Sequence, residues 1–423
     1  MERTLIKDLK ENIGKEVLLK GWVSEIRDLS KVKFVIFQDR TGDIQSVANK
    51  TTEEASFNLI SDLTKESVVE VIGTVKEHPE SKWGFEVLIK SISVIAAAET
   101  PLPIDPSEKS QTHIDKRIDY RFLDLHSKRT QSIFRVQSTI LQGFREFMYR
   151  EGAMEVALPS IIGASSEGGT DLFQISYFEK HALLSQSCQL YKQMLACSME
   201  KIFTVFTVWR AEKHNTVRHL NESRQFDYEE AFADDKKVME VLGRCVQFIV
   251  KTVAEDRKKD LETLGVTLKV PETKYMTFEE IKQLMATEKV EMSEHDLSGE
   301  AEKKLGELYP DTVVFVHEWP IDGKPFYIMP SGKNSKGFDA IWQGMEITSG
   351  GQRVHDPVLL QERLQAHNLE LDVFKDYIDS FRYGAPPHAG WGLGLERLTM
   401  LMLGLDNIRE AVLFPRDRDR LTP

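Results

Sequence analysis

The feature that most limits how this chain can fold is the stretch "AAAETPLPIDPSEKSQ", in which Pro101, Pro103 and Pro106 lie close together. Each proline locks φ and removes a backbone donor, so helix is excluded and an extended connector is expected. The chain must then be built as separate bodies on either side. The expected division is a body over residues 1–97, a proline-rich connector over 98–125, and a larger body over 126–423. A chain of 423 residues is in any case too long for one small core.

Before the prolines, five segments read as strands: "EVLLKGWVSEIR", "VKFVIFQ", "DIQSVANK", "SVVEVIGTVKE" and "GFEVLIKSISVIA". They are rich in β-branched and aromatic residues and separated by turns such as "DRTGD" and "HPESKWG". An amphipathic helix, "EEASFNLISDL", falls between the third and fourth. This is the layout of a small closed barrel of the oligonucleotide-binding type, and equally of any small barrel serving as a spacer.

After the prolines, helices and strands alternate irregularly. "SIFRVQSTILQGFREFMYREG" and "KVMEVLGRCVQFIVKTVAED" carry apolar residues at helical spacing. "KIFTVFTVWRAE" and "RQFDYEEAFA" read as strands flanking the polar loop "KHNTVRHLNES", and "VVFVHEWP", "FYIMP" and "DAIWQGMEITSGG" add more. The expected class is α+β, with a mainly antiparallel sheet flanked by helices.

Net charge is −12, which lowers the odds of nonspecific duplex binding without excluding a defined RNA partner. No apolar run is long enough for a membrane span and the first residues are charged, so neither a transmembrane helix nor a secretory signal is expected. Three cysteines without a C-x-x-C pair, and eleven histidines without ligand spacing, argue against a disulfide framework and a structural zinc. A reducing cytoplasm is the expected home.

Three segments carry candidate chemistry. In "LLSQSCQLYKQMLAC", Leu190, Met194 and Cys197 form a helical stripe and Lys192 points away from it. Arg210 and Glu212 share a face at the end of one strand, as do Gln225, Asp227 and Glu229 on the next. In "GFDAIWQGMEITSGGQRVHD", Asp339 and Glu346 could offer hard oxygen ligands to Mg²⁺, and Arg353 a bidentate fork to a carboxylate. In "WGLGLERL", Gly390, Gly392 and Gly394 permit close backbone approach, and Arg397 sits in a first helical turn, where it opposes the macrodipole and asks for an anion or a base as partner.

Taken together and in order, "GFREFMYREGAMEVALPSI", "TVWRAEKHNTVRHLNESRQFDYEEAF" and "GWGLGLERL" resemble the three signature motifs of class II aminoacyl-tRNA synthetases. Within that class, the N-terminal barrel, "SSEGGTDLF", "RAEKHNTVRHLNE" and the ending "NIREAVLFPRDRDRLTP" resemble the aspartyl enzymes. The interval between the second and third motifs has no room for the large domain inserted there in the bacterial type, so the compact archaeal and eukaryotic type fits. The resemblance covers essentially the whole chain.

It implies an ATP- and Mg²⁺-dependent ligase that forms aspartyl-adenylate and passes the aspartyl group to tRNA-Asp, with tRNA-Asn as a further acceptor if specificity is relaxed. It also implies a homodimer. Lys192 and Arg353 would hold the aspartate side chain, with Ser349 alongside, and Glu167 and Gln189 its ammonium end. Arg210 would hold the α-phosphate and the substrate carboxylate. The ATP site would comprise Glu212, Arg218, His219 and Leu220 with Glu346, Gly394 and Arg397. His219 would stand in for the adenine-stacking phenylalanine, whose place is taken by Ser223. Glu346 with Ser349 or Asp339 would bind Mg²⁺. In the barrel, Phe34 would stack on an anticodon base, Gln45 would read a base edge, and Lys82 would face the last anticodon base.

Two departures stand out: Cys188 replaces the usual proline before the helix of Lys192, and Ser24 replaces a tryptophan found in enzymes strict for tRNA-Asp. Alternatives are an asparaginyl enzyme of the same fold, whose kind carries an apolar residue at the position of Lys192, or an inactive RNA-binding paralogue. A paralogue that amidates aspartate is disfavoured by the barrel.

Overall fold

The computed structural model describes residues 1–107, 109, 111–163, 172–213 and 216–423. They form two compact units, Met1–Gln111 and Thr112–Pro423. No helix among the described residues is long and apolar enough to cross a membrane.

The first unit contains β1 (Glu16–Asp28), β2 (Val32–Asp39), β3 (Gly42–Asn49), α1 (Glu54–Ser61), β4 (Val68–Glu77) and β5 (Phe85–Ala96). The strands close in the order β1-β2-β3-β5-β4, with β3 and β5 parallel. Strict alternation along β2 sends Val35 and Phe37 into the barrel core and leaves Phe34 and Ile36 half-buried on the outer side. The register slips between Val23 and Glu25, a bulge that carries Ser24, whose hydroxyl donates to the carbonyl of Ile36 at 3.1 Å.

In the second unit, two short helices over 114–124 precede α2 (Lys128–Arg150). The segment expected as the end of the connector is therefore folded here. The cause is Arg121, 1% exposed, which donates to the backbone carbonyls of Arg409, Val412 and Leu413 at 2.8–2.9 Å. Its arginine fork satisfies a run of C-terminal carbonyls that would otherwise be buried unpaired.

Next come α3 (Gln189–Met199), β6 (Lys201–Trp209), β7 (Glu222–Ala231), α4 (Asp235–Asp256), β8 (Glu272–Thr277), β9 (Thr312–His317), β10 (Gly337–Trp342), β11 (Met345–Gln352), β12 (His388–Gly394) and α5 (Leu395–Leu403). The sheet runs β8-β9-β10-β11-β12-β7-β6 and ends on a two-residue strand, Met154–Glu155. Its centre is antiparallel, with a parallel pair at each edge.

One face of the sheet is apolar. Phe203, Phe226 and Tyr228 point toward α2 and α4, and Phe144 of α2 stacks on Phe226 with ring centroids 4.0 Å apart. The other face of β7 is polar, because alternation turns Asp227 and Glu229 away from α2. Two expected strands end differently. "FYIMP" is largely a loop: Phe326, Tyr327 and Ile328 are apolar because they pack in a satellite core against Phe374 and Tyr377. The strand expected to reach Arg210 stops at Trp209, where the side-chain amide of Asn221 takes the carbonyls of Arg210 (2.6 Å) and Glu212 (3.1 Å).

Register explains the glycines of β12. Glu229 lies opposite Gly390, Asp227 opposite Gly392, and Gln225 opposite Gly394. A Cβ on Gly390 would lie 2.1 Å from both Glu229 Oε2 and the carbonyl of Tyr228, and one on Gly392 would lie 1.9 Å from Gln225 Nε2. At Gly394 the nearest atom would be 3.6 Å away, an ordinary contact. Gly390→Ala is therefore expected to cost about 3 kcal/mol or more, whereas Gly394→Ala stays within about 1 kcal/mol. Urea titrations giving the two variants equal midpoints would contradict this account of the motif.

Candidate active site

The polar face of β7 is covered by α3, and the meeting is unusual. The buried side of α3 is Gln189, Lys192, Gln193 and Ala196, while the apolar stripe of Leu190, Met194 and Cys197 is only half-buried, against the satellite core. Lys192 is thus no surface lysine: it is 2% exposed. The helix begins at Gln189, one residue later than proline at its first turn would suggest. The Ser187 hydroxyl accepts the Gln189 amide at 3.2 Å, and Cys188 takes the cap position with φ −84°, near the value proline imposes.

Lys192 Nζ donates to Asp227 Oδ1 at 2.8 Å and to the carbonyl of Trp391 at 3.2 Å, and lies 3.6 Å from Glu229 Oε2. Arg353 donates to Glu229 through Nε at 2.8 Å and Nη2 at 3.1 Å, a bidentate pair. Burial works to lower the Lys192 pKa, but Asp227 and Glu229 outweigh it and leave it above its ordinary value. Burial works to raise the Glu229 pKa, and Arg353 and Lys192 hold it below. Two basic and two acidic side chains are thus set against one another in a place almost closed to water. Asp227 Oδ2 is itself buried beneath the cleft floor, beside Cys188.

A neutral network backs this cluster. Gln193 donates to His388 Nε2 at 3.0 Å and accepts from Gln189 (2.8 Å) and the Tyr377 hydroxyl (2.8 Å). His388 meets the carbonyl of Pro386 through Nδ1 at 2.9 Å, and burial holds its pKa below the ordinary value. The imidazole is thus neutral with its proton on Nδ1.

Gln189, Lys192, Asp227 and Arg353 floor a cleft of about 380 Å³ whose outer wall carries the other charges. Arg210 lies 3.7 Å from Glu212, and His219 lies 3.6 Å from the same carboxylate, with Thr216 on its Nδ1 at 2.5 Å. The loop carrying them is tied to the C-terminal segment, since Asn221 donates to the carbonyl of Arg416 at 2.8 Å and Arg418 to that of Lys213 at 3.0 Å. The Leu220 side chain belongs to the main core, so Leu220 meets the cleft only along its edge. Arg397 donates to the carbonyl of Glu346 at 2.6 Å and lies 3.6 Å from its carboxylate.

For Mg²⁺, the donors are Asp339, Glu346 and Ser349. Asp339 and Ser349 are cross-strand partners, and Ser349 Oγ donates to Glu346 Oε1 at 3.2 Å. The surrounding protein and the nearby Asp339 carboxylate push the Glu346 pKa up to about 7, the crowding of anions that a divalent cation relieves. No cluster of three or more His, Cys, Asp or Glu ligands occurs among the described residues. Two carboxylates and a hydroxyl suit Mg²⁺, which takes few protein ligands and completes its shell with phosphate and water.

The cleft thus gathers Gln189, Lys192, Arg210, Glu212, Arg218, His219, Leu220, Asp339, Glu346, Ser349, Arg353, Gly394 and Arg397 along one wall and floor. Glu167 lies outside the described residues. Reasoning from sequence alone left out Asp227 and Glu229 as partners of the two buried cations, and His388, Gln193 and Lys324. The first two carried a signal, acids at alternate positions with the aromatic Phe226 and Tyr228 beside them. The others have none in sequence, since their partners come from distant segments.

The family model described as tRNA synthetases class II (D, K and N) matches residues 113–418, and that of the OB-fold nucleic acid binding domain matches residues 17–95. The chain belongs to the class II tRNA synthetases of this D, K and N group, and is an ATP-dependent ligase. Among its relatives, the aspartate–tRNA(Asp/Asn) ligase of Methanocaldococcus jannaschii is 45% identical over 98% of this chain and 97% of its own. The aspartate–tRNA(Asp) ligase of Thermoplasma volcanium is 42% identical over the whole of both. Among solved structures, asparaginyl-tRNA synthetase from Pyrococcus horikoshii complexed with asparaginyl-adenylate matches with a TM-score of 0.95 and 32% identity, covering both chains completely.

Glu396, 3% exposed, shows how the site loads stability with pH. Burial raises its pKa from the ordinary 4.5 to about 7, although its two oxygens accept the Arg224 amide at 2.9 and 3.1 Å. The folded state holds this proton more tightly than the unfolded chain, so stability falls as pH rises from 4.5 through 7. The full effect is about 3 kcal/mol. Glu396→Gln keeps an acceptor and removes the titration. Denaturant midpoints at pH 5 and pH 8 should show the variant gaining on the parent at the higher pH, and parallel profiles would refute the assignment.

Proposed function

We propose that this chain is an aspartate–tRNA ligase: it activates L-aspartate with ATP and transfers the aspartyl group to the 3′ end of tRNA. The observation that carries this reading is the pair of buried cations, Lys192 and Arg353, on the floor of a cleft whose outer wall is lined by Arg210, Arg218, His219 and Arg397. A substrate carboxylate fits between the Lys192 ammonium and the arginine fork, whose Nη1 is not engaged by Glu229. A carboxylate in that place accepts charge-assisted hydrogen bonds from both cations, which a neutral amide, itself half donor, does not match. Gln189 offers an acceptor to the ammonium end.

The nucleophile of the first step is already a carboxylate, so no strong base is needed, and the work of the protein is positioning and charge neutralisation. The α-carboxylate of aspartate bonds to the α-phosphorus as the bond to pyrophosphate breaks, while the side-chain carboxylate stays between Lys192 and Arg353. Arg210 holds the α-phosphate, and Arg218, His219 and Arg397 hold adenine and the outer phosphates. The chemistry supplied by Mg²⁺ held on Glu346, Ser349 and Asp339 is neutralisation of charge on the departing pyrophosphate. In the second step the terminal ribose hydroxyl of tRNA displaces AMP.

Lys192→Leu tests the reading. It leaves Asp227 and Glu229 short of a partner, so a loss of about 3–5 kcal/mol in stability is expected. Aspartate-dependent ATP–pyrophosphate exchange should vanish with it. Near-normal exchange in a folded Lys192→Leu protein would end the aspartate assignment.

The barrel is the anticodon-reading part. Phe34 stands on the outer side of β2, across from Arg27 and Val47. Gln45 Nε2 is held by Glu86 at 3.1 Å, and Lys82 lies 3.3 Å from Asp43 and 4.1 Å above the Trp83 ring. The anticodons of tRNA-Asp and tRNA-Asn differ only in the last base, C against U. Ser24 offers neither bulk nor a stacking face, and its hydroxyl already donates to Ile36. Lys82 alone is worth about 1–3 kcal/mol, the value of one base contact, so charging of both tRNAs follows. Aspartylation of two transcripts differing in that base should differ by less than about a hundredfold in kcat/KM, and a larger preference for C would overturn the relaxed specificity.

The enzyme works in the cytoplasm as a homodimer. Tyr149 and Met154, 56% and 47% exposed, stand at the edge of the sheet that ends on the strand Met154–Glu155, where a second copy would cover them. A sedimentation measurement giving only monomer would remove this part of the proposal.

A further inference from the structure

Lys324 occupies an odd place in the cleft. It follows the short turn Ile321–Gly323 in the segment between β9 and β10. Its backbone is fixed: the amide donates to the carbonyl of Ile321 at 3.1 Å, and its carbonyl accepts from Arg363 Nη2 at 3.2 Å. Its ammonium lies 2.7 Å from Asp339 Oδ2 and 4.0 Å above the Trp319 ring, with 16% of the side chain exposed. Trp319 is itself buried and anchored by its indole N–H to the carbonyl of Val316 at 2.8 Å.

Asp339 is also a candidate Mg²⁺ ligand, and an ammonium and a dication cannot share one carboxylate oxygen at close range. If the metal takes Asp339 Oδ2, the ammonium must leave that oxygen, and even on Oδ1 a dication weakens the hold of the lysine on its neighbour. Its anchor cannot move, but its stem can: lysine is a point charge on a flexible four-carbon chain. The same cleft wall leads from Lys324 to Arg218 and Arg397, the basic groups assigned to the outer phosphates.

We propose that Lys324 is a substrate-binding residue with two positions: it holds Asp339 while the metal is absent, and turns onto the polyphosphate of ATP when Mg²⁺ takes that carboxylate. The inference rests on the ATP and Mg²⁺ reading given above. The two positions keep the acidic pocket neutralised in both states. They also make metal and nucleotide binding cooperative, because the cation displaced by one is the ligand of the other.

The test compares the parent with Lys324→Met. Three affinities are measured: Mn²⁺ alone by electron paramagnetic resonance, and AMP and Mg·ATP by calorimetry. Removing a competing cation should tighten Mn²⁺ binding about tenfold. Lacking the outer phosphates, AMP should bind both proteins alike. Mg·ATP should bind the variant about tenfold more weakly despite the tighter metal, since a charge-assisted contact is lost.

Mg·ATP binding that tightened along with Mn²⁺ would overturn the second position, and Mn²⁺ affinity that stayed level or weakened would overturn the first. Glu346→Gln separates the premise from the inference. If parent and Lys324→Met bind Mn²⁺ no better than Glu346→Gln, the metal-site reading itself fails. Should Lys324→Met not fold, Lys324→Gln retains a donor for Asp339 without the charge and is expected to give the same ordering.

Discussion

Two cations and two anions buried between one helix and one sheet are the arrangement on which the second unit depends. Lys192, Arg353, Asp227 and Glu229 come from three separate elements or their ends, so the ion cluster can exist only if α3, β7 and the end of β11 are all in register. Such a cluster is poor value as a source of stability, because desolvation offsets most of the Coulomb gain. It does specify. Any shift of α3 by one residue would take Lys192 from Asp227 and leave Glu229 with Arg353 alone, an error costing several kcal/mol.

Gly390 of β12 answers a steric demand made by the same cluster, and Gly392 one made chiefly by Gln225 beside it. A carboxylate on β7 can lie flat across the neighbouring strand only where that strand has no side chain, and Gly390 and Gly392 stand directly opposite Glu229 and Asp227. The polar floor of the cleft is thus made by β7 and its flatness by β12. The helix that follows, α5, begins where the glycines end, which brings Arg397 to the cleft beside Glu346. Room for the ligand and room for the ion cluster come from one sequence pattern.

This bears on what could be read from sequence. The barrel was legible almost completely, because every strand of it is bounded by turn residues and alternates between core and surface. The antiparallel sheet and the long helices α2 and α4 were legible for the same reason of period. The helix α3 was read by its apolar stripe, yet its decisive face is the polar one. Periodicity reports which residues avoid water, and here burial is driven by charges finding one another across the fold. "FYIMP" misled in the opposite sense, since an apolar run cannot distinguish a strand from a loop packed into a small core. Arg121 shows a third limit: its partners lie almost three hundred residues away, so nothing local separates it from a solvated arginine.

The comparisons with known proteins divide along the same line. The solved asparaginyl enzyme matches this chain over its whole length with a TM-score of 0.95, although the aspartate–tRNA ligases share more of its residues. Overall shape therefore does not decide between a carboxylate and its amide. The fold supplies what both chemistries require: a sheet with one polar face, a basic wall for phosphate, and a barrel of the nucleic-acid-binding kind. The difference between substrates is one charge, and a difference of one charge has to be met by charge close at hand and shielded from water, where it is strongest. On the reading proposed above, Lys192 is the group that meets that condition, a buried lysine whose pKa Asp227 and Glu229 hold up against burial. An apolar residue there would leave those two acids with Arg353 alone, so a change of substrate at this position calls for a change in β7 as well.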